Sequence, residues 1–397
     1  MSTTTPQISE SPNATPPSPL VWRSYASGDV GDALTDWRHL EQRINDQSAA
    51  CCSTWTDCWL HHYGKIVPHR ILAAEADGRV RGMVLITEGV NQTFGRVPIQ
   101  TRHIGTAGEP QPGSVCVEYN RLLVEEAWRV PFLHGIVEHL HRDSGWEQLR
   151  IDGFAESELE EWQANFPNAD VRRRESRYFD FEKARQANSD VITQLGKSTR
   201  ANLRRRIRQY GDIAVEWAES VAKADEILHE LVQLHQARWN AVGELGAFAS
   251  PYFSGFQRDA AIRLFLEDRA VLFRVMQGTQ TVGCLYLLVD RGRLLDYLSG
   301  FVSFDVLPSP GLVCHYLCQE EALKRGYNAY DFLVGDKRHK ENLSTDTNFL
   351  CWLEWSRPSW KMRSLQTMRT VKQRLREWRA SSSSSESSNS KSEKSDS

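Results

Sequence analysis

The sequence predicts an α/β protein built from two tandem copies of one structural unit, with a polar tail at each end. Three observations carry this expectation. "RILAAEADGRVRGMVLITEG" and "AVLFRVMQGTQTVGCLYLLVD" have the same form: an apolar run, a glycine turn and a second apolar run. Each is followed by a glycine-bearing segment, an amphipathic helix and a short strand. At 397 residues, with 40% hydrophobic and 25% charged content, the chain is ordinary for a folded protein and long enough for two cores.

Residues 1–20 are rich in Ser, Thr and Pro with little to bury, and are expected to be disordered. The first unit spans 21–185. Helix-like "WTDCWLHHYG" precedes its hairpin, whose turn falls at Asp77-Gly78. "RHIGTAGEPQPG" follows, then the helix "PFLHGIVEHLHRD" and the strand "WEQLRIDGF". The second unit spans 186–360. "LHELVQLHQARWNAVG" stands before a hairpin turning at Gln277-Gly278, and "LSGFVSFDVLPSPG" comes after it. The helix "GLVCHYLCQEEALKRG" repeats Leu312, His315, Tyr316 and Leu323 on related turns, and "YNAYDFLVG" closes the pattern. Between the units, "GKSTRANLRRRIRQYG" reads as a basic joining helix. Residues 361–380 read as a basic amphipathic helix, and 381–397 as a disordered Ser-rich tail.

Several function classes are disfavoured. A net charge of -3 gives no global field for nucleic acid or a membrane. No run approaches the roughly 18 apolar residues of a spanning helix, and the start lacks a secretory pattern. The eight cysteines show no framework spacing. Buried thiols in a reducing cytoplasm are therefore expected. Cys314 and Cys318 flank His315 at helical spacing, but nothing completes a tetrahedral set, so no metal is expected. Neither a Walker loop nor a GxSxG elbow is present.

Ser309-Pro310-Gly311 has the make-up of a helix start, whose unpaired N–H groups and dipole favour phosphate. Serine can cap, proline presets the first turn, and glycine admits a ligand close to the backbone. The same residues would also suit an ordinary capped helix.

"LHQARW" (234–239), "FASPYFSGFQRDAA" (248–261), "YLSGF" (297–301), "SPG" (309–311) and "YDFLVGDKRHK" (330–340) resemble the GNAT (GCN5-related N-acetyltransferase) superfamily, in its CelD/Fem-like tandem branch. The specific motifs lie in about 190–360; residues 21–180 match by arrangement. The resemblance implies two GNAT-like modules, each a mixed, mostly antiparallel sheet flanked by helices. It further implies an acyltransferase, expected to move an acetyl group from acetyl-CoA to an amine in envelope or exopolysaccharide metabolism. The acceptor could be a small molecule, a glycan or a peptide. The alternatives are a Fem-like aminoacyl-tRNA-dependent transferase on peptidoglycan precursors and a non-catalytic binding protein.

By the resemblance, the second module holds acyl-CoA. Ser299, Gly300 and Phe301 would face the thioester from a splayed strand, and Ser309, Pro310, Gly311 and Leu312 would hold the pyrophosphate. Asp331 is the expected base and Tyr297 the proton donor to the thiolate, though bound waters could replace either. Arg238, Trp239, Lys337, Lys340 and Tyr119 are candidates for the acceptor or its phosphates, and Glu118 for the cleft between modules. The first module is expected to have lost its cofactor loop. Nucleic acid is expected as a partner only in the tRNA alternative, which the arginines of 196–211 keep open.

Overall fold

The computed structural model describes residues 18–44, 48–93, 97–107, 109, 113–115, 118–365, 367–368 and 370. The expectations for residues 1–17, 371–380 and the Ser-rich tail lie outside the described residues. In the first half the chain forms β1 (Val21–Tyr25), α1 (Val30–Glu41), α2 (Ser53–Tyr63), β2 (His69–Ala76), β3 (Arg79–Thr93), β4 (Val97–Ile104), β5 (Leu123–Val124), α3 (Arg129–Arg142), β6 (Gln148–Ala155), α4 (Leu159–Asn165) and β7 (Asp170–Asp180). Three helices follow: α5 (Phe181–Gln186), α6 (Val191–Gln194) and the basic α7 (Lys197–Tyr210). The second half is β8 (Ile213–Trp217), α8 (Val221–Ala241), α9 (Pro251–Leu266), β9 (Ala270–Gln277), β10 (Gln280–Asp290), β11 (Arg293–Phe301), α10 (Pro310–Lys324), β12 (Ala329–Val334), α11 (Arg338–Asn342) and β13 (Asp346–Ser356).

The duplication is visible element by element. Strand, two helices, three antiparallel strands, a crossover helix and a strand occur in both halves. The pairing is antiparallel except in β4–β6 and β11–β12, the two strand pairs that a crossover helix joins. The structural counterpart of α2 is α9, which enters directly into β9; α8, which contains Trp239, corresponds to α1.

The hairpin turns obey local chemistry. Asp77 and Gly78 have φ of 53° and 70°, and Arg291 and Gly292 have 52° and 75°, both positive as a tight two-residue hairpin requires. In the β9–β10 hairpin Gln277 pairs with Gln280, so the loop is Gly278 and Thr279, one residue later than the sequence suggests.

The last strand of each half leaves its own unit. The sheet runs β1-β2-β3-β4-β6-β13-β7-β12-β11-β10-β9-β8, with β5 attached to β3. Thus β13 lies against β6 of the first half, β7 lies against β12 of the second, and the two pair with each other at the centre. One continuous twisted sheet results.

Both faces of this sheet are covered, so its inner strands are apolar on alternate residues of both sets. Leu272, Cys284, Tyr286 and Leu288 face a core shared with α1, α2, α8 and α9. Val271, Phe273, Leu285 and Leu287 face α7 and α10. Leu72, Ala74, Val84 and Ile86 face α3 and α4. The first of these cores contains side chains of both halves: Trp55 of α2 packs edge-on to Phe256 of α9, with ring centroids 4.9 Å apart. Residues 360–365 are helical, and Met362 and Leu365 pack on Ile99.

Candidate active site

β11 and β12 begin as a parallel pair, Arg293 with Ala329, Leu294 with Tyr330 and Leu295 with Asp331, and then separate. β11 continues along β10 to Phe301, while β12 stays paired with β7 from Ala329 to Val334. The opening between them leads into a cavity of about 970 Å³, lined on the strands by Asp296, Tyr297, Leu298, Ser299, Leu333 and Val334. That volume is in the range of a site for a small organic ligand.

The start of α10 forms one wall. Ser309 takes a left-handed backbone, φ 60° and ψ 50°, and its side chain makes no capping bond. Pro310 follows at the first helical position, where its missing N–H costs nothing. The amides of Gly311 and Leu312 have no acceptor within the helix, and Ser309, Gly311 and Leu312 all line the cavity. Across from them, α7 contributes Ser198, Thr199, Asn202, Arg205 and Arg206. Arg238, Lys337, Arg338 and Lys340 complete a wall suited to anions.

The sequence-predicted residues divide into two sets. Tyr297, Ser299, Phe301, Ser309, Gly311, Leu312, Arg238, Lys337 and Lys340 come together around the cavity, as does Glu118. Gly300, Pro310, Trp239, Tyr119 and Asp331 are not among its lining residues. Gly300 is buried against α8, where an added Cβ would stand 2.5 Å from the Leu231 carbonyl oxygen. Trp239 is 41% exposed.

Asp331 is fully buried and occupied. Its carboxylate accepts from Ser176 Oγ at 2.6 Å and from the Leu333 amide at 2.8 Å, and also from Tyr119 Oη and Arg293. This ties β12 to β7, to β11 and to the 118–120 segment of the first half. It is a structural junction among the described residues.

Two carboxylates face the cavity, Glu118 and Asp296. Glu118 reaches it from the first half and accepts from the Val334 amide at 2.8 Å. Burial pushes its pKa up to about 7, against the opposing pull of that amide and of Lys340. Asp296, on the splayed part of β11, stands beside two histidines. His315 Nε2 is 3.7 Å from its Oδ2, and the His315 ring stacks on that of His339 at 5.1 Å and 10°. His315 Nδ1 bonds Tyr330 Oη at 2.9 Å. Burial, with His315 adding to it at His339, lowers both imidazoles to about 3. Cys314 and Cys318 turn into the second core instead. Asp296 and His339 are absent from the sequence expectations: "RLLDYLSGF" reads as an apolar run with one acid, and the histidine hides in a basic cluster.

The equivalent opening in the first half is filled. β4 and β6 pair only from Thr101–Gln148 to His103–Arg150. Beyond them Asn120 bridges to Phe154, its amide donates to the Gly153 carbonyl at 3.0 Å, and its Nδ2 donates to Ile104 at 2.8 Å. The chain's own residue occupies the gap that in the second half is cavity.

A family model described as "Acetyltransferase (GNAT) domain" matches residues 197–341, the stretch that supplies most of these walls. No curated protein matches the chain. Among solved structures, L-PGS from Bacillus licheniformis is 13% identical with a TM-score of 0.53, covering 86% of this chain and 95% of that one. FemX is 11% identical with a TM-score of 0.52, covering 82% and 96%. The C-terminal domain of a putative lysylphosphatidylglycerol synthetase from Agrobacterium fabrum is 11% identical at 0.50, covering 86% and 96%. These likenesses extend over both halves and concern the fold. With the splayed β11–β12 pair and the acetyltransferase-domain match on the same residues, the second half carries a GNAT acyltransferase domain, and the tandem fold of both halves is like that of these structures.

Proposed function

We propose that the chain transfers an acyl group, in the first instance acetyl, from acyl-CoA to an amine acceptor. The observation that carries this reading is the uncapped start of α10, which opens into the cavity where β11 parts from β12. Amides there would hold the diphosphate of CoA, with Arg205, Arg206 and Arg338 near enough to the same cavity to meet its remaining phosphate. The thioester would lie along the free edge of β11 at Ser299–Phe301. The acceptor would come from the side of the first half, where Glu118 and Lys340 stand.

The amine nitrogen attacks the thioester carbon and an oxyanion forms, held by a β11 amide. Glu118 takes the proton released from nitrogen. Collapse breaks the C–S bond, and the departing thiolate takes a proton from Tyr297, whose hydroxyl accepts from Gln257 Nε2 at 2.6 Å. The cytoplasm is the proposed compartment, consistent with seven described cysteines that are buried and unpaired. Among the described residues no helix is long and apolar enough to cross a membrane. Envelope or exopolysaccharide metabolism is the proposed setting, by resemblance to the CelD/Fem-like branch.

Calorimetric titration with acetyl-CoA, free CoA and a tRNA pool tests the donor. Acetyl-CoA is expected to bind. A Cβ at Gly311 would meet the Phe301 ring at 3.3 Å, so the branched side chain of Gly311→Val must displace that ring and cover the helix start. Affinity for acetyl-CoA should fall by at least ~10-fold, equivalent to about 1.4 kcal/mol. Binding of tRNA alone, weakening steeply with salt, would favour an aminoacyl donor, for which the exposed Lys197, Arg204 and Arg208 of α7 provide phosphate contacts. Binding of neither would leave a non-catalytic module.

A further inference from the structure

We propose that Asp296, His315 and His339 form a binding site for a divalent metal ion of the zinc class, with one coordination position open to the cavity. The three residues come from β11, α10 and the first turn of α11, so only the tertiary fold assembles them. One ligand atom from each lies within 4.8 Å of the other two. Ligands about 2.0–2.1 Å from a tetrahedral ion stand roughly 3.3 Å apart. His315 Nε2 and Asp296 Oδ2, at 3.7 Å, already approach that spacing. A small rotation of the half-buried His339 side chain would bring in the third.

Two further features favour an ion over a chance cluster. Asp296 is only 9% exposed, and its Oδ1 is buried without a hydrogen-bond partner among the described residues. A buried carboxylate oxygen left unanswered is costly and calls for a cation or donor. His315 Nδ1 is held by Tyr330 Oη, which fixes the ring and turns Nε2 toward Asp296, as outer hydrogen bonds do for metal-bound imidazoles.

The nearby positive charges limit the affinity without closing the site. Lys340 is directed at the carbonyls of Phe332, Leu333 and Val334, at 2.5, 3.1 and 3.1 Å. Lys337 is the other lysine on this side of the cavity. Two histidines and one carboxylate, with a fourth position toward a cavity, match the donor set of catalytic rather than structural zinc sites.

The test uses the full chain without a polyhistidine tag, freed of metal by chelator and titrated with Zn²⁺ by calorimetry and with Co²⁺ by visible absorption. One equivalent should bind, and Co²⁺ should give the absorption of a low-coordinate site. Asp296→Asn and His339→Ala should each weaken binding by at least ~10-fold, since losing an outer-sphere partner alone costs that much. His339 is half-buried, so its variant should stay folded, and a melting temperature close to the wild type's separates lost ligation from lost structure. A second cluster, His61, His62 and Asp259, could also attract an ion and serves as the control through His62→Ala. No uptake by the wild type would overturn the proposal. So would binding that survives both site variants, or that disappears in His62→Ala. None of these results depends on acyl transfer.

Discussion

Asp331 and Glu118 show how differently two acids can serve, one fully buried in the sheet and one half-buried on the cavity. Asp331 answers the Arg293 guanidinium and three further donors inside the sheet, so its removal should leave that arginine without its carboxylate. Asp331→Ala should lower unfolding stability by about 3–5 kcal/mol, read by urea denaturation. The molecules that remain folded should bind acetyl-CoA as before. A variant of unchanged stability that had lost turnover would instead make Asp331 a catalytic base. Glu118 lies on the cavity, with a pKa near 7 set chiefly by burial. A base works in its ionised form, and a raised pKa keeps the carboxyl protonated until higher pH. The rate should therefore fall as pH drops through about 7, and Glu118→Gln should lose ~10²–10⁴-fold at pH 8 and abolish that limb. An identical pH profile in the variant would remove Glu118 from the reaction. The sequence exposed the acid on β12 but not which way it pointed. Five of the six residues of β12 are buried, and when both faces of a strand are covered, alternation gives no direction.

At the scale of elements, the placement of α8 against β11 rests on one glycine. Gly300 lets the Leu231 carbonyl and Leu234 come against the strand, and a Cβ there would stand 2.5 Å from that backbone oxygen and 2.9 Å from Leu234 Cβ. Neither neighbour is a flexible side-chain tip, so strand and helix must part. Gly300→Ala should cost about 1–3 kcal/mol. It should also weaken acetyl-CoA binding, because Ser299 and Phe301 on either side of it line the cavity. Calorimetry on the variant tests this; unchanged affinity with lowered stability would separate the strand's packing from its part in the site. Hairpins, crossover helices and the α10 start were legible because each is written in local chemistry: glycine turns, 3.6-residue periods, a Ser-Pro-Gly start. The match of α2 with α9 was not. The sequence places "LHELVQLHQARWNAVG" of α8 before the second hairpin as the counterpart of "WTDCWLHHYG", whereas the pairing of these helices is fixed by packing in a core shared by both halves. The filling of the first opening by Asn120 was equally hidden, since it depends on where a segment lies rather than on its composition.

For the molecule as a whole, the exchange of β7 and β13 decides whether the two modules are separate folding units. A boundary at residues 185 and 186 divides the sequence into its two repeats, yet it cuts β7 from β12 and from β13, and β13 from β6. Each half alone would expose a row of unpaired N–H and C=O groups at the centre of what had been a continuous sheet, and would also lose half of the core where Trp55 meets Phe256. Burial on that scale couples the halves more strongly than an ordinary interdomain contact does. The full chain should therefore unfold in one calorimetric transition, with van't Hoff and calorimetric enthalpies in agreement. Fragments cut at 185 should aggregate or remain unstructured when made singly, and should recover the cooperative transition when co-expressed. Two resolved transitions in the intact chain, or a soluble and cooperatively folded 186–370 fragment, would mean that the central strand pair is a weak seam. The proposed acyl-CoA site would then stand on the second half, with Ala50, Trp55, Ser114 and Glu118 as the first half's share of the cavity.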